Sequence, residues 1–363
     1  LLSSVMIETV GVFSVPLLDR FFWQLAFIVL VGYVNLKGVL ITGRVQDFLT
    51  YTMLGFLICV GLYGFSVNGV DVTSALESPK LTLENVFMAT GLGVFLFVGF
   101  EWVAPLAEET EDHKMIGKGM MLAIGLLSIT YSVFVVAMYS GLTPAQLESR
   151  TTIPHIVFAS NLFGSAGAAV FIFMSILASF TSFNSGILNN SRFVYAMARA
   201  NILPKVFSKL HPLSASPWVA ILALVIFAVV LSALILVSGK FLFIIVMAAA
   251  LECFIYIVVA LCVIRLRKKM PDRERRFKVP FGPVIPVATI LVFLVLMLGI
   301  FMDSTKDSAG NILFDNYWCA LAMVIFACIT TAYAFLVVPR LKRAAEKRSQ
   351  TRKRRRPQRS TAN

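Results

Sequence analysis

The sequence predicts an all-α integral membrane protein, and three observations lead to that fold class. Of the 363 residues, 58% are hydrophobic and only 14% are charged, whereas soluble domains are about half apolar and about a quarter charged. Nine apolar stretches reach the roughly 20 residues that a helix needs to cross a bilayer. None of them shows the alternation of apolar and polar residues that is typical of a membrane β-barrel.

Each apolar stretch is expected to form one membrane-spanning helix, with short polar connections between neighbours. In chain order the stretches cover residues 22–41, 47–67, 85–104, 119–140, 165–184, 217–237, 241–264, 281–301 and 317–338. Residues 1–18 are expected to hold part of a tenth span, and residues 1–338 to form one transmembrane domain. Because the chain begins with Leu1 and shows no secretory signal, we expect it to be truncated at the N-terminus.

The basic residues are distributed unevenly along the chain, and this predicts its orientation. If the C-terminus is cytosolic, 27 of the 32 Lys and Arg residues lie on the cytosolic side, as the positive-inside rule requires. Residues 339–363 are expected to be a disordered cytosolic tail, whose basic cluster is attracted to anionic lipid. We expect a multi-pass protein of the plasma or inner membrane that does not bind nucleic acid, since no folded nucleic-acid module accompanies the cluster.

The sequence does not favour an enzyme, a resident cofactor or a metal centre. The five cysteines are odd in number and lie in apolar stretches, which argues against a disulfide framework or a metal cluster. The three histidines, His113, His155 and His211, are expected in loops. Neither a His-Glu-x-x-His motif nor a Gly-x-Ser-x-Gly motif occurs.

Three segments resemble motifs of the amino acid–polyamine–organocation permeases. FLFVGFE at residues 95–101, followed by AEET at 107–110, resembles the broken sixth helix of that family. SRFVYAMARANILP at 191–204 is similar to the stretch after its eighth helix, and residues 265–280 are similar to its loop between helices ten and eleven. The segments occur in the family's order and spacing.

This resemblance implies a fold and a function. The fold is the LeuT-type five-plus-five inverted-repeat transporter fold, with helices four to twelve present and the N-terminal part incomplete. The function is that of a secondary active transporter that moves amino acids or related amines across the membrane by alternating access. Three alternatives stay open: an uncoupled exchanger, a channel or receptor of the same fold, and a fragment without transport activity. No oligomeric state is predicted.

The resemblance also places the substrate where the sixth helix breaks. Unwound backbone at membrane depth is tolerated only where it lines a cavity, and its freed carbonyls can then bind an ammonium group. The predicted substrate-binding residues are Phe95, Leu96 and Val98 through their carbonyls, Phe97 and Phe100 through their side chains, and Gly99 at the break.

Three glycines, Gly91, Gly93 and Gly99, lie in the same stretch. Glycine leaves helical geometry at little steric cost, so the glycines would allow the break. The alternative is that they only let helices pack closely.

Glu252 lies at the centre of the otherwise apolar stretch 241–264. Ionisable residues are costly at this depth and often belong to proton pathways, so Glu252 is a candidate for proton coupling. The alternative is a protonated side chain with a purely structural hydrogen bond.

Two further positions bear on the coupling ion. In the family register, Met53 occupies the position where many proton-linked members and exchangers have a Lys in place of a cation. Ala178, Thr181 and Ser182 resemble the arrangement that supplies oxygen ligands to sodium in relatives of this fold, although such hydroxyls often bond within their own helix. Sodium, proton and uncoupled exchange therefore all remain open.

Charges near the cytosolic ends of two spans are candidates for an inner gate. Glu108 and Glu109 follow the stretch 85–104, and Arg192 and Arg199 follow the stretch 165–184. Opposite charges on neighbouring helix ends could pair when the inner side closes and separate when it opens. The alternative is that they are solvated loop charges, worth about 0–1 kcal/mol per pair.

Overall fold

A computed structural model of the protein describes residues 16–37, 42–71, 82–109, 113–148, 153–273, 279, 281–302, 304–306 and 312–355. The helices of this part of the chain are α1 Pro16–Lys37, α2 Thr42–Asn68, α3 Leu83–Gly93, α4 His113–Gly141, α5 Pro144–Glu148, α6 Pro154–Arg199, α7 Trp218–Ser238, α8 Phe241–Lys269, α9 Val284–Met302, α10 Tyr317–Leu336 and α11 Val338–Arg355. Shorter 3₁₀ segments cover Val94–Phe97, Phe100–Glu109 and Lys205–Ser208.

The predicted all-α membrane architecture is confirmed. Eight helical segments of the described chain are long and apolar enough to cross a membrane, and each coincides with a predicted stretch. The first predicted stretch, 22–41, coincides with α1, which is not among the eight and carries Asp19 and Arg20 in its first turns. Residues 1–15, where part of a tenth span was expected, lie outside the described residues.

Helix α6 is much longer than the predicted stretch 165–184, because it runs for 46 residues from Pro154 to Arg199. A hydropathy pattern finds only the apolar middle of such a helix, whereas its polar end continues through Asn189 and Asn190. The helix is interrupted at Gly164, whose φ of 66° and ψ of −154° are not helical. Backbone with such angles is almost confined to glycine.

Two local features differ from the sequence-based expectation. A short antiparallel hairpin, β1 Ser304–Lys306 and β2 Ile312–Asp315, connects α9 to α10. The basic tail was expected to be disordered, but its residues up to Arg355 form α11. Lys, Arg, Ala, Glu and Gln are good helix formers, which accounts for this helix.

The buried apolar residues form three clusters. The first joins α8, α9 and α10 through Val246, Ala249, Ala250, Cys253, Leu296, Ile300 and Cys319. The second joins α2, α4 and α6 through Val60, Ala137, Leu142, Phe158, Ala159 and Phe171. The third joins α1, α6 and α7 through Val31, Ile187 and Ile221. Cysteines occur in the first cluster as packing residues, and all five cysteines of the chain are free thiols.

The segment 83–109 connects two of these clusters. Its helical part, α3, packs against α8 and α9, whereas the 3₁₀ segment Phe100–Glu109 packs against α4 and α6. The chain therefore changes helix geometry where it passes from one group of helices to the other.

Candidate functional site

The helix that begins at Leu83 breaks at Val98 and Gly99. Val98 has φ −58° and ψ 134°, which is extended rather than helical, and Gly99 has φ 118°. The helix narrows to a 3₁₀ turn before the break, where the Val98 amide donates to the Phe95 carbonyl at 3.4 Å. After the break, the Trp102 amide donates to the Gly99 carbonyl at 3.1 Å. The predicted break is present in the structure.

The three glycines of this segment have different roles. A Cβ at Gly91 would lie 2.8 Å from Ile300 Cγ1 and 3.1 Å from the Leu296 carbonyl oxygen, so Gly91 allows close packing of α3 on α9. A Cβ at Gly93 would meet no atom within 4 Å. At Gly99 space is available, but the positive φ disfavours any residue with a Cβ. Both interpretations of the glycines are therefore correct, each for a different residue.

Glu101 satisfies the backbone at the break. Both of its carboxylate oxygens accept from the Gly99 amide at 3.1 Å, so this amide keeps a partner although the helix has ended. Glu101 also lies close enough to Glu252 and Tyr256 of α8 to interact with them electrostatically. The Tyr256 ring stacks on Phe100, with 6.1 Å between the ring centroids. One side of the break therefore faces α8 and the carboxyl group of Glu252.

The other side of the break faces a cavity of about 570 Å³. Its volume is in the usual range for small-molecule sites, about 300–1,000 Å³. The break supplies Val98, Gly99, Phe100 and Trp102; α2 supplies Gln46, Thr50, Met53, Leu54, Phe56 and Leu57; α4 supplies Ala123, Leu127, Tyr131 and Phe134; and α6 supplies His155, Phe171, Met174, Ser175, Ala178, Thr181, Ser182 and Ser185. The residues from α2 and α4 recur at helical spacing, so each helix presents one face to the cavity.

Two pairs of polar residues in the cavity lining are joined by hydrogen bonds. Gln46 Nε2 donates to Ser185 Oγ at 2.7 Å and to the Thr181 carbonyl at 3.4 Å. In another part of the lining, His155 Nε2 lies 3.1 Å from Ser175 Oγ. These two pairs join α2 to α6 and the two parts of α6 on either side of Gly164.

The predicted substrate-binding residues divide into two groups. Val98, Gly99 and Phe100 line the cavity, as expected. Phe95, Leu96 and Phe97 are not among the residues that line it. The side chains of Phe95 and Leu96 are exposed, and Phe97 packs edge-on against Tyr131, a cavity residue, at 5.7 Å between ring centroids. The six residues remain predictions as binding residues.

The residues predicted to bear on the coupling ion lie on both sides of the break. Met53, Ala178, Thr181 and Ser182 all line the cavity. Thr181 Oγ1 donates to the Ala178 carbonyl at 3.0 Å. This is a hydrogen bond within one helix, as expected if the hydroxyl has a structural role and does not bind sodium. Glu252 lies in α8, behind the break, and is half-buried.

The inner gate stays a prediction. The side chains of Glu108 and Glu109 lie outside the described part of the structure. Arg192 and Arg199 lie near the C-terminal end of α6. The Arg199 guanidinium lies over the Tyr195 ring, 5.7 Å from its centroid.

Sequence reasoning missed two polar residues of the cavity. His155 was expected in a loop, which is wrong: it is the second residue of α6 and lines the cavity. Its position depends on how the chain folds back at Gly164, and no local pattern shows this. Gln46 could have been found, because it lies two helical turns before Met53 on the same face of an apolar helix.

Known proteins resemble this chain over most of its length. A family profile described as "Amino acid permease" matches residues 7–337. The chain is 35% identical over 223 residues to the branched-chain amino acid permease of Bacillus subtilis (strain 168), covering 59% of this chain and 46% of the relative. It is 28% identical over 281 residues to the human cystine/glutamate transporter, covering 75% of this chain and 54% of the relative. The D-serine/D-alanine/glycine transporter of Escherichia coli (strain K12) is 25% identical over 320 residues, covering 82% of this chain and 67% of the relative.

The first two of these relatives are about twice as long as the part that this chain matches. All three are named as permeases or transporters and none as an enzyme, in agreement with the expectation from the sequence. Since the family profile covers residues 7–337, the protein belongs to the amino acid permease family and is a multi-pass integral membrane protein.

Proposed function

We propose that the protein is a secondary transporter that binds an amino acid at the helix break and moves it across the membrane by alternating access. One observation carries this proposal: the backbone at Val98 and Gly99 leaves helical geometry where it borders a cavity of about 570 Å³. Broken backbone at membrane depth is expected only where it lines such a space. The relatives are named for amino acid substrates, which favours an amino acid over other amines.

The break suits the amino group of the substrate. A carbonyl released from the helical pattern can accept from an ammonium group, as it does at the broken helices of transporters. The Glu101 carboxylate, which accepts from the Gly99 amide, adds negative charge behind the break. An ammonium group in the cavity would therefore meet acceptors at the break.

The test compares two glycines of the same segment. Gly99→Ala places a Cβ on backbone with φ 118°, where the strain is about 1–3 kcal/mol. Because the nearest atom to this Cβ is 3.8 Å away, the effect is on the backbone conformation rather than a clash. Gly93→Ala is the matched control, since its Cβ meets nothing within 4 Å.

We expect Gly99→Ala to lose most saturable uptake of a mixture of radiolabelled amino acids into proteoliposomes, and Gly93→Ala to retain it. Equilibrium binding in detergent should show the same difference, while both variants remain folded. Equal binding by the two variants would place the substrate elsewhere. A flux that does not saturate would indicate a channel instead of a transporter.

We infer that the coupling ion is a proton and that Glu252 carries it. Glu252 is a half-buried carboxyl group within a membrane span, and Glu101 of the break lies close to it. Two carboxylates repel in a medium of low dielectric constant, and a proton on Glu252 would relieve this repulsion. The proton would therefore be held directly behind the segment that borders the cavity.

The charges of the protein support a proposal for its orientation in a cell membrane. We propose a plasma or inner membrane with the C-terminus in the cytosol, because the distribution of basic residues favours this orientation. Helix α11 would then lie on the cytosolic side, where its exposed Arg340, Lys342 and Arg343 favour contact with anionic lipid.

A further inference from the structure

Three phenylalanines form one wall of the cavity. The Phe171 ring lies 5.1 Å from the Phe56 ring and 5.9 Å from the Phe134 ring, measured between centroids. Phe171 is only 3% exposed and belongs to the cluster that joins α2, α4 and α6. The wall is therefore backed by a packed core.

Aliphatic side chains line much of the remaining surface. Leu54 and Met53 reach the cavity from α2, Leu127 from α4 and Met174 from α6. Met has a flexible and polarizable side chain that adapts to apolar ligands of different shape. The cavity thus offers a large apolar surface to a substrate side chain.

Charged side chains are absent from this lining. In the described part of the chain, no Asp, Glu, Lys or Arg borders the cavity. The nearby Glu101 carboxylate accepts from the Gly99 amide. Since a buried charge is costly without a partner, a Lys-like or Glu-like substrate side chain would lose its hydration without compensation.

One ring nitrogen of His155, Nε2, is already engaged within the protein. Ser175 Oγ donates its only proton to the Phe171 carbonyl at 2.7 Å. At the 3.1 Å contact, His155 Nε2 must therefore be the donor and Ser175 Oγ the acceptor. The imidazole is held by this bond and packs on the Phe171 ring, 6.4 Å away between centroids.

We propose that the cavity selects amino acids with bulky uncharged side chains, branched aliphatic or aromatic, and rejects those with charged side chains. This substrate class rests on the proposed function, since it assumes that an amino acid binds in the cavity. The side chain would lie against the wall of Phe56, Phe134 and Phe171, and its amino group would lie at the break.

Matched pairs of competitors test this selection. Uptake of radiolabelled L-leucine into proteoliposomes is measured with unlabelled L-phenylalanine, L-norleucine, L-lysine, L-glutamine and L-glutamate. Norleucine has the shape of lysine without the ammonium group, and glutamine has the shape of glutamate without the charge. We expect lysine to inhibit at least about tenfold more weakly than norleucine, and glutamate at least about tenfold more weakly than glutamine.

A charge added to the lining should change the preference. Leu127 lies on the cavity face of α4, one turn from Ala123 and one turn from Tyr131. We expect Leu127→Asp to strengthen inhibition by lysine about tenfold or more, because it supplies the missing partner. Leu127→Asn has the same size without the charge and should leave the weak inhibition by lysine unchanged. Met174→Asp and Met174→Asn repeat the comparison on α6 if the α4 variants do not fold.

Two results would overturn the proposal, and they can be told apart. If lysine competes as well as norleucine, or glutamate as well as glutamine, the cavity does not select against charge, although the protein still transports amino acids. If no amino acid is taken up or bound, the proposed function itself is wrong and the substrate class is wrong with it.

Discussion

At the scale of single residues, the partners of Thr181 bear on the coupling ion. Its hydroxyl donates to the Ala178 carbonyl at 3.0 Å, and its own carbonyl accepts from Gln46 Nε2 at 3.4 Å. The carbonyls of Ala178 and Thr181 therefore each share one of their two lone pairs with a proton of the chain. They offer a sodium ion less than an open site would, and hard cations need several oxygen ligands.

We therefore expect uptake to be independent of sodium. Initial rates measured in sodium and in choline buffers at one pH should agree. Thr181→Val together with Ser182→Ala should reduce stability by about 1 kcal/mol for each hydrogen bond lost but should not introduce an ion requirement. A rate that falls in choline, and a higher sodium requirement in the double variant, would contradict this expectation.

The same residues show how far the sequence alone could lead. The motif at 95–101 predicted the break, and the structure places Val98, Gly99 and Phe100 at the cavity. It could not predict that Phe97 would turn toward Tyr131, because a side chain's direction at a break depends on the irregular backbone. It could not predict the position of His155 in the cavity either. The non-helical backbone at Gly164 changes the direction of the chain before the apolar part of α6 begins.

At the scale of the elements, hydropathy predicts the existence of the spans better than their ends. The predicted stretch 241–264 agrees with the start of α8 at Phe241, but the helix continues through Arg265 and Arg267 to Lys269. Basic residues favour the C-terminal end of a helix, where they interact with its dipole. A hydropathy scale measures only transfer from water, so it assigns these basic residues to a loop.

The contact between α3 and α9 gives a prediction at this scale. A Cβ at Gly91 would lie 2.8 Å from Ile300 Cγ1, so Gly91→Ala must displace a fully buried side chain. We expect a loss of about 1–3 kcal/mol in unfolding free energy. Thermal unfolding in detergent measures it, with Gly93→Ala as the matched control. Equal melting temperatures for the two variants would show that α3 and α9 can move apart without a loss of stability.

At the scale of the whole molecule, transport requires that the ion and the substrate act on the same moving part. The break touches the cavity through Val98 and Gly99 and approaches Glu252 and Tyr256 of α8 through Glu101. One short segment therefore adjoins both the cavity and the residue that we propose to carry the proton. In the proposed mechanism, a change in the protonation of Glu252 would alter the charge behind the substrate.

This arrangement predicts the effect of Glu252→Gln. A neutral amide imitates the protonated acid permanently, so uptake driven by a pH gradient should disappear, while exchange of internal for external substrate should remain. Glu252→Asp keeps a carboxyl group and should keep the response to pH. Proteoliposomes with and without an imposed pH gradient provide the measurement. Full pH dependence in Glu252→Gln would exclude this residue as the proton carrier.

The pairing of Glu101 with the Gly99 amide also bears on which end of a zwitterion would approach the proposed site. The start of a helical segment normally offers free amides to an anion, but here the Gly99 amide already has a carboxylate of the same chain as its partner. An entering carboxylate would have to displace Glu101 and would meet like charge while doing so. An amino group encounters the opposite sign. In the proposed binding mode, the break would therefore favour a substrate that approaches with its amino group first.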